Sequence, residues 1–300
     1  MTQRIAAFTQ APHVVKGSLF AIVAFFFMAL FGILTKVACE TGDAIWVSFI
    51  TYSIATMGTA LLILPRGIAA LKSKHYSYLI ARAVIGTTAS FLYMISMHYI
   101  PIINSTLLFN TAPLFIPLLT VCVLKIPIKK NIWCAVLIGF IGILVIIKPG
   151  DNIFTDPGNL IGLLSGFALA VAYLFMKLLT STDTGLRIVF FYFSIGTLMQ
   201  VPLLWLTDNP PSTLTFCYAS LSGVMLMAAQ LGLVRAYKYA DASQVGVYQY
   251  SSVVFVAMME WLIWSRAPGL LDYIGFVLVS VAGIFIIFSS RNKVKNKDVY

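Results

Sequence analysis

The chain has 300 residues, of which 60% are hydrophobic and 10% are charged, and its mean hydropathy is +0.94. Soluble domains carry about 25% charged residues, so this composition excludes a soluble globular protein and is typical of a polytopic membrane protein. The net charge of +10 indicates attraction to anionic lipid, and a nucleic-acid partner is not expected.

Hydrophobic runs follow one another along the whole chain, each close to the 20 residues that cross a bilayer. Ten spans are predicted, at about residues 17–38, 44–64, 77–98, 102–123, 131–148, 159–180, 186–206, 214–237, 242–264 and 271–289. The connections between them are too short for a catalytic domain outside the membrane. We therefore expect an all-α membrane protein with ten transmembrane helices.

The positions of Lys and Arg predict how the chain is oriented. With the N terminus in the cytoplasm, the inner connections and inner span ends hold all but three of the 20 basic residues, and the exceptions are Lys36, Lys148 and Arg266. Basic residues concentrate on the cytoplasmic side of a membrane. The pattern predicts a multi-pass protein of the bacterial inner (cytoplasmic) membrane with both termini cytoplasmic.

The sequence contains an internal repeat. Sliding the chain by 140 or 141 residues places Lys36 on Lys177 and Asn104 on Gln244. Because each half holds an odd number of spans, the halves insert with opposite orientation, as two inverted five-helix repeats. The predicted organisation is an N-terminal cytoplasmic tail (1–16), a first repeat (17–148), a second repeat (159–289) and a basic cytoplasmic C-terminal tail (290–300).

The fourth span combines an apolar run with polar residues and prolines: Asn104, Ser105, Thr106, Asn110, Thr111, Pro113 and Pro117. A proline inside a helix frees the carbonyl one turn back, so Pro113 and Pro117 predict helix kinks. Irregular backbone persists at membrane depth where it is buried in protein or lines a wet cavity. Asn110 lies about 14 Å along this span, near the bilayer midplane, where transporters bind their substrates.

The repeat partner of this stretch is the ninth span, which also carries polar side chains near its middle. The predicted substrate-binding residues are Phe109, Asn110, Thr111, Tyr93, Tyr248, Gln249, Tyr250 and Ser252. Aromatic rings stack on bases and attract cations, and the alternative is that these rings pack against helices or lipid. For Asn110 and Gln249 the alternative is hydrogen bonding between helices.

Four charged side chains are candidates for gating or coupling: Lys36, Lys177, Glu260 and Arg82. Glu260 is the acid that lies well inside a span, near its outer end, where it can pair with Lys36. Charges inside membranes are costly and usually functional. The alternatives are a carboxylate that reaches headgroup water and basic side chains, Arg235 among them, that snorkel to the surface.

Three segments carry a family resemblance: FGILTKVA, ARAVIGTTASFLYMISMHYIPIINSTLLFNTAPLF and VRAYKYADASQVGVYQYSSVVFVAMMEWLIW. Over about residues 17–289 the chain resembles the EamA-type drug/metabolite transporters. Lys36 and Arg82 lie where that family often has Lys in the first span and Arg early in the third. The chain departs from the family after the fourth and ninth spans, where a Gly-Glu pair is common but the residues around Lys125 and Arg266 read LKIP and WSRAP. Any role of those carboxylates is therefore not carried over.

The resemblance implies a secondary transporter of small metabolites that works by alternating access. The segments NSTLLFNTAPLF and YQYSS are also similar to the S-adenosylmethionine uptake branch of the family. The expected substrate is an amino acid or an amino-acid derivative, with S-adenosylmethionine as one candidate. The alternative from another class is a membrane-embedded scaffold or assembly partner that transports nothing.

Motifs of other functions are missing from the sequence. It has no Walker phosphate loop, H-E-x-x-H motif or nucleophile elbow, and its four cysteines lack metal-ligand spacing. We expect no enzymatic activity, no cofactor and no metal site. The expected partners are a small-molecule substrate and the lipid bilayer, and the sequence leaves open whether the chain acts alone or as a homodimer.

Overall fold

A computed structural model of the chain describes residues 14–100, 102–147, 157–207, 210–265 and 269–295. All regular structure in these residues is helical. The α-helices are α1 (Val14–Thr41), α2 (Ala44–Ile63), α3 (Tyr76–Tyr99), α4 (Ile102–Phe109), α5 (Ala112–Cys122), α6 (Lys130–Ile147), α7 (Pro157–Leu179), α8 (Gly185–Gln200), α9 (Thr213–Tyr239), α10 (Ala242–Tyr248), α11 (Ser251–Trp264) and α12 (Leu270–Lys295). Short 3₁₀ segments follow α2 and α8. Lys148, Arg266 and most of the two predicted tails lie outside the described residues.

Seven helical segments of the described chain are long and apolar enough to cross a membrane. They are Val15–Thr41, Ala44–Arg66, Tyr76–Met97, Asn104–Cys122, Pro157–Leu179, Gly185–Leu206 and Thr213–Tyr239. Helices α6 and α12 contain shorter apolar stretches, and α10 and α11 together occupy the predicted ninth span. Large apolar side chains point outward, as at Leu61 and Leu262, which are 67% and 77% exposed. An apolar exterior of this kind suits contact with lipid.

The helices of the two halves pair in a regular way. Helix α1 packs along α9 and α3 packs along α7, while α2 packs against α8 and α6 against α12. Two bodies related by a two-fold axis make contacts of this kind: the α1–α9 contact corresponds to the α3–α7 contact, while the α2–α8 and α6–α12 contacts each join equivalent helices. Two hydrogen bonds fit the same axis, because they join residues 140 and 141 positions apart: the hydroxyls of Tyr52 and Tyr192 at 2.8 Å, and those of Thr56 and Thr197 at 3.0 Å.

The equivalent helices α1 and α7 run in opposite directions. The last turn of α7 lies beside the first turns of α1, because Lys177 Nζ donates to Ala240 O at 2.8 Å and a Cβ added to Gly17 would lie 2.6 Å from Ala240 Cβ. Lys36 lies near the other end of α1, a helix of 28 residues and therefore about 42 Å long. The lysines that the repeat makes equivalent thus lie at opposite ends of the bundle.

The turn before α8 is fixed by an ion pair between Asp183, which lies between two spans, and Arg187 in the first turn of α8. Arg187 donates to Asp183 Oδ1 at 2.8 Å and to Ala70 O at 2.7 Å, which ties α8 to the link between α2 and α3. Burial alone would raise the pKa of the Asp183 carboxyl, but hydrogen bonds from Arg187, Ser73 and Thr182 outweigh burial and lower the pKa below its ordinary value.

Two helix ends hold a residue in the left-handed conformation. Among the described residues, the non-glycine residues with positive φ are Lys125 at 55° and Ser265 at 54°. They follow α5 and α11, which occupy equivalent places in the two halves. A side chain in this conformation costs about 1–2 kcal/mol, and glycine adopts it without that cost.

We predict that Lys125→Gly stabilises the protein by about 0.5–1 kcal/mol, because the relief of backbone strain exceeds the extra entropy of an unfolded glycine. The matched control is Lys74→Gly, which changes an exposed lysine in a loop where φ is negative and should leave stability equal or lower. Thermal unfolding of the purified protein in detergent measures both. A Lys125→Gly variant that unfolds at a lower temperature than the wild type would contradict the assignment of strain.

Candidate functional site

The fourth predicted span is interrupted at its centre. Helix α4 ends at Phe109 and α5 begins at Ala112, with Pro113 in its first turn. Proline lacks the N–H that would bond the Phe109 carbonyl, so α4 cannot continue through this position. Pro117 lies inside α5, which continues to Cys122. The interruption therefore lies at residues 110–111, just before Pro113 and nearly two turns before Pro117.

The ninth predicted span is interrupted at the equivalent place without a proline. Helix α10 ends at Tyr248 and α11 begins at Ser251, so Gln249 and Tyr250 form the turn. A 3₁₀-type bond from Gln249 N to Gly246 O, 3.0 Å long, tightens the chain there. The polar cluster of this span is evident in the sequence, but no residue there signals a second break.

Side-chain hydroxyls bind carbonyls at both breaks. Thr111 Oγ1 donates to Leu108 O at 2.5 Å, and Ser252 Oγ donates to Gln249 O at 2.7 Å. Both carbonyls also accept a backbone bond, from Thr111 N and Ser252 N, each 3.1 Å long. The hydroxyls therefore add a second, local bond at each interruption, in an environment where polar groups need partners. Thr111 and Ser252, predicted as substrate ligands, thus have a structural partner in the described state.

The two breaks meet through their amide side chains. Gln249 Nε2 donates to Asn110 Oδ1 at 3.2 Å, and Asn110 Nδ2 donates to Thr106 O at 2.9 Å. Both amides are buried, with 6% of Asn110 and 4% of Gln249 exposed. The hydrogen bond between helices, weighed above as the alternative to a binding role, is present. Gln249 Oε1 nevertheless has no hydrogen-bond partner, so one buried acceptor remains available at the meeting point.

Helix α7 makes the first break possible by its glycines. A Cβ added to Gly166 would lie 2.5 Å from both Leu108 O and Thr111 Oγ1, and one added to Gly162 would lie 2.9 Å from Leu108 Cδ1. Real Cβ atoms do not approach a carbonyl oxygen this closely, so α7 can contact the interrupted backbone only with glycine at position 166, while Gly162 gives room to the Leu108 side chain. The sequence carried no signal that links these glycines to the site.

The predicted aromatic residues fall into two groups. Tyr93 and Phe109 pack together with ring centroids 4.8 Å apart, and the Tyr93 hydroxyl is 2.9 Å from Thr106 Oγ1. Both rings are half-buried beside the first break. This pair is the aromatic surface next to Asn110.

The other two rings hold the second break from either side. Tyr248 Oη donates to Gly283 O on α12 at 3.0 Å, and the fully buried Tyr250 ring packs on Gly139 of α6. Among the described residues no ring contact joins them to the Tyr93 and Phe109 pair. The structure therefore does not assemble the four rings into one aromatic surface.

Lys36 and Glu260 form the ion pair that the sequence predicts. Lys36 Nζ lies 2.7 Å from Glu260 Oε1, and the two side chains are 43% and 32% exposed. Ion pairs this exposed contribute little to stability. The pair joins the C-terminal end of α1 to α11 by a contact that can open at small cost.

Lys177 does not snorkel, and that alternative was wrong. The side chain is 4% exposed, and its ammonium donates to Tyr237 O and Ala240 O, both at 2.8 Å. These carbonyls end α9, where the helix dipole favours a cation. Lys177 therefore fastens α7 to the end of α9.

Arg82 does not snorkel either, because it is 2% exposed and its Nη2 donates to Gln230 Oε1 at 3.2 Å. Snorkelling remains consistent with Arg235, which is exposed. The described part of the chain contains no group of three His, Cys, Asp or Glu side chains arranged to hold a metal.

Two consecutive parts of the chain, residues 15–148 and 156–289, match the model of the EamA-like transporter family. The solved structures include a crystal structure of 15% sequence identity that aligns with a TM-score of 0.80 over 93% of this chain and 98% of that chain. At this identity the likeness concerns the fold.

Characterised relatives carry transporter names. The chain is 30% identical to the pseudopaline exporter of Pseudomonas aeruginosa over 93% of this chain and 97% of the relative. It is 24% identical to the S-adenosylmethionine uptake transporter of Rickettsia prowazekii over 66% and 67% of the two chains. It is 26% identical to the riboflavin transporter of Vibrio cholerae over 80% and 81%.

We predict that Asn110→Ala and Gln249→Ala are coupled in stability. Hydrogen bonds between helices in membranes contribute about 0.6 kcal/mol on average, so the double variant should lose less than the sum of the single losses by about that amount. Denaturant unfolding in detergent gives the four free energies. Asn110→Ala combined with Gln230→Ala is the control and should be additive. A coupling near zero for the first pair would contradict the observed hydrogen bond.

Proposed function

Because this chain belongs to the EamA-like transporter family, we propose that it is a secondary transporter that carries a small metabolite across the bacterial inner membrane by alternating access. The relatives named above are transporters. The observation that carries the proposal is the buried contact between Asn110 and Gln249, where two interrupted helices from the two halves meet. Interrupted helices with polar turns are the usual substrate sites of such transporters.

The proposed topology has ten spans in two inverted five-helix repeats, with both termini in the cytoplasm. Helices α4 with α5 and α10 with α11 each count as one interrupted span. The opposite directions of α1 and α7, together with the concentration of Lys and Arg in alternate connections, support this arrangement.

The proposed substrate site is formed at the two breaks. Asn110 and Gln249 supply amides, and Tyr93 and Phe109 supply an aromatic surface. The unpartnered Gln249 Oε1 is suited to accept a hydrogen bond from a substrate N–H. Thr111, Ser252, Tyr248 and Tyr250 support the turns that present these groups.

The proposed gates lie at the two ends of the bundle. Lys36 and Glu260 form an exposed contact at the outer end, and Lys177 fastens α7 to α9 at the inner end. In alternating access these contacts would break in turn, so that the breaks at the centre face one side and then the other.

The proposed substrate is an amino acid or an amino-acid derivative, with S-adenosylmethionine as one candidate. The Rickettsia relative is named for uptake and the Pseudomonas relative for export. The family thus supports either direction of transport for this chain.

The test of the proposal is uptake of labelled metabolites into proteoliposomes, with and without a pH gradient, using amino acids, S-adenosylmethionine, riboflavin and pseudopaline. At least one compound should accumulate to a higher level than in protein-free liposomes. The double variant Asn110→Leu/Gln249→Leu should reduce that uptake about tenfold or more, as expected when two buried hydrogen-bonding groups are lost. Leu262→Ala, an exposed apolar position, is the matched control. Absence of uptake for the whole panel, with a partner protein that co-purifies stoichiometrically, would instead support the scaffold.

Glu260→Gln tests the outer gate in the same assay. Removal of the carboxylate breaks the ion pair with Lys36, so we expect a lower uptake rate and a weaker dependence on the external pH. Glu40→Gln, which neutralises an exposed acid near the same end of α1, should leave uptake unchanged. Uptake by Glu260→Gln that equals the wild type at every pH would remove Glu260 from gating and coupling.

A further inference from the structure

The Arg82 guanidinium is a buried positive charge that lies away from the two breaks. Within the described part of the chain, no acidic side chain forms an ion pair with it, and its hydrogen bond goes to the neutral Gln230. A buried charge without a counter-ion costs several kcal/mol. Proteins keep such a group when function requires it, so Arg82 needs an explanation beyond packing.

Surrounding helices hold the guanidinium in place while much of its hydrogen-bonding capacity remains unused. The Tyr192 ring lies 4.3 Å from Arg82 Cζ, and Gly86 leaves the space that Nη1 occupies. Nε and Nη1 have no hydrogen-bond partner. Arginine presents its N–H groups in a planar fork that matches a carboxylate, and here most of that fork is unpaired.

A further unpartnered hydroxyl belongs to the same cluster. Tyr237 Oη is buried and has no hydrogen-bond partner. The Tyr237 ring packs on Tyr173 with centroids 5.6 Å apart, and both tyrosines lie within electrostatic range of Arg82. Buried donors are normally satisfied. A cluster of orphan donors around a cation is therefore complementary to an anion that accepts several hydrogen bonds.

We infer that Arg82 is the recognition site for a carboxylate group of the transported substrate, with Tyr237 as a second donor. This inference rests on the transport function proposed above, and it assigns Arg82 to substrate recognition in place of gating. The carboxylate supplies the missing negative charge and accepts N–H bonds from the guanidinium.

Helix α3 connects this cluster to the breaks. On α3, Ser90 and Tyr93 follow Arg82 by 8 and 11 residues. These spacings place the three residues on one helix face, with Arg82 and Tyr93 about 16 Å apart along the helix axis. Ser90 Oγ donates to the carbonyl of Gly86, the glycine that leaves space for the guanidinium, and Tyr93 packs on Phe109 at the first break. One polar face of α3 therefore extends from the proposed carboxylate site to the aromatic pair.

The experiment compares compounds that differ by one carboxylate: S-adenosylmethionine with decarboxylated S-adenosylmethionine, and methionine with methioninamide. Binding to the purified wild-type protein is measured by thermal shift. We expect the carboxylate member of at least one pair to stabilise the wild type more strongly than its partner. Arg82→Gln should weaken binding of that carboxylate about tenfold or more and leave binding of the partner without a carboxylate unaffected, because a charged hydrogen-bonding group is lost. Arg82→Lys keeps the charge without the fork and should give an intermediate loss.

The unfolding temperature without ligand separates recognition from a purely structural role. Removal of an uncompensated buried charge should leave the unfolding temperature of Arg82→Gln unchanged or raised by about 2–4 °C. A structural arginine would lower it. Arg235→Gln, which removes an exposed arginine from α9, is the matched control and should alter neither measurement.

Three results would overturn the inference. The first is equal binding, in every pair, of the compound with the carboxylate and the compound without it, and the second is no binding of either compound. The third is an Arg82→Gln variant that unfolds at a lower temperature and retains the preference for carboxylates. The uptake panel distinguishes these results from failure of the proposed function. If the wild type transports a compound but binds the two members of each pair equally well, the inference about Arg82 is wrong and the proposed transport function stands.

Discussion

The structure depends on how it satisfies the backbone where two of its helices are interrupted. In an apolar environment every freed carbonyl needs a partner. Here Leu108 O and Gln249 O accept from local hydroxyls and from 3₁₀-type N–H bonds, and Thr106 O accepts from the Asn110 amide. The side-chain amides of Asn110 and Gln249, one from each break, then bond each other. That bond joins the halves and places polar groups deep inside an apolar bundle.

The repeat explains why these features come in pairs. Hydrogen bonds join Tyr52 to Tyr192 and Asn110 to Gln249, at separations of 140 and 139 residues. Contacts on a two-fold axis place equivalent residues against each other. The two ends of the bundle differ in the described state. Lys36 is exposed in its ion pair with Glu260, whereas Lys177, its equivalent in the second half, is enclosed by backbone carbonyls. The alternating access that we propose would require this kind of asymmetry between equivalent positions.

Much of the fold was predictable from local chemistry. Hydrophobic length gave the helical segments, the offset of about 140 residues gave the repeat, and Pro113 gave an interruption in the fourth predicted span. The pairing of Lys36 with Glu260 was also accessible, because two opposite charges at one end of the membrane have few other partners. These features depend on hydrophobicity, charge and proline content, which can be read from short segments of the sequence or from the repeat.

The remaining features depend on packing that the chain does not express locally. The second break has no proline, and its position depends on Tyr248 and Tyr250 packing on Gly283 and Gly139. Snorkelling was the wrong alternative for Lys177 and Arg82, because hydropathy says how deep a residue lies but not whether it faces lipid or a neighbouring helix. The aromatic residues of the predicted site likewise fall into two groups. Tyr93 and Phe109 pack on each other, whereas Tyr248 and Tyr250 face α12 and α6.

The most direct test of the central claim is to place cysteines at positions 110 and 249 and to measure their reaction with a charged methanethiosulfonate reagent in proteoliposomes. The variant used lacks the four native cysteines, Cys39, Cys122, Cys134 and Cys217. If the two breaks form a wet binding site, both cysteines react much faster than one placed at the exposed apolar position Leu118, and a transported substrate slows them. Reaction no faster than at position 118, with no effect of any transported substrate, would contradict the account.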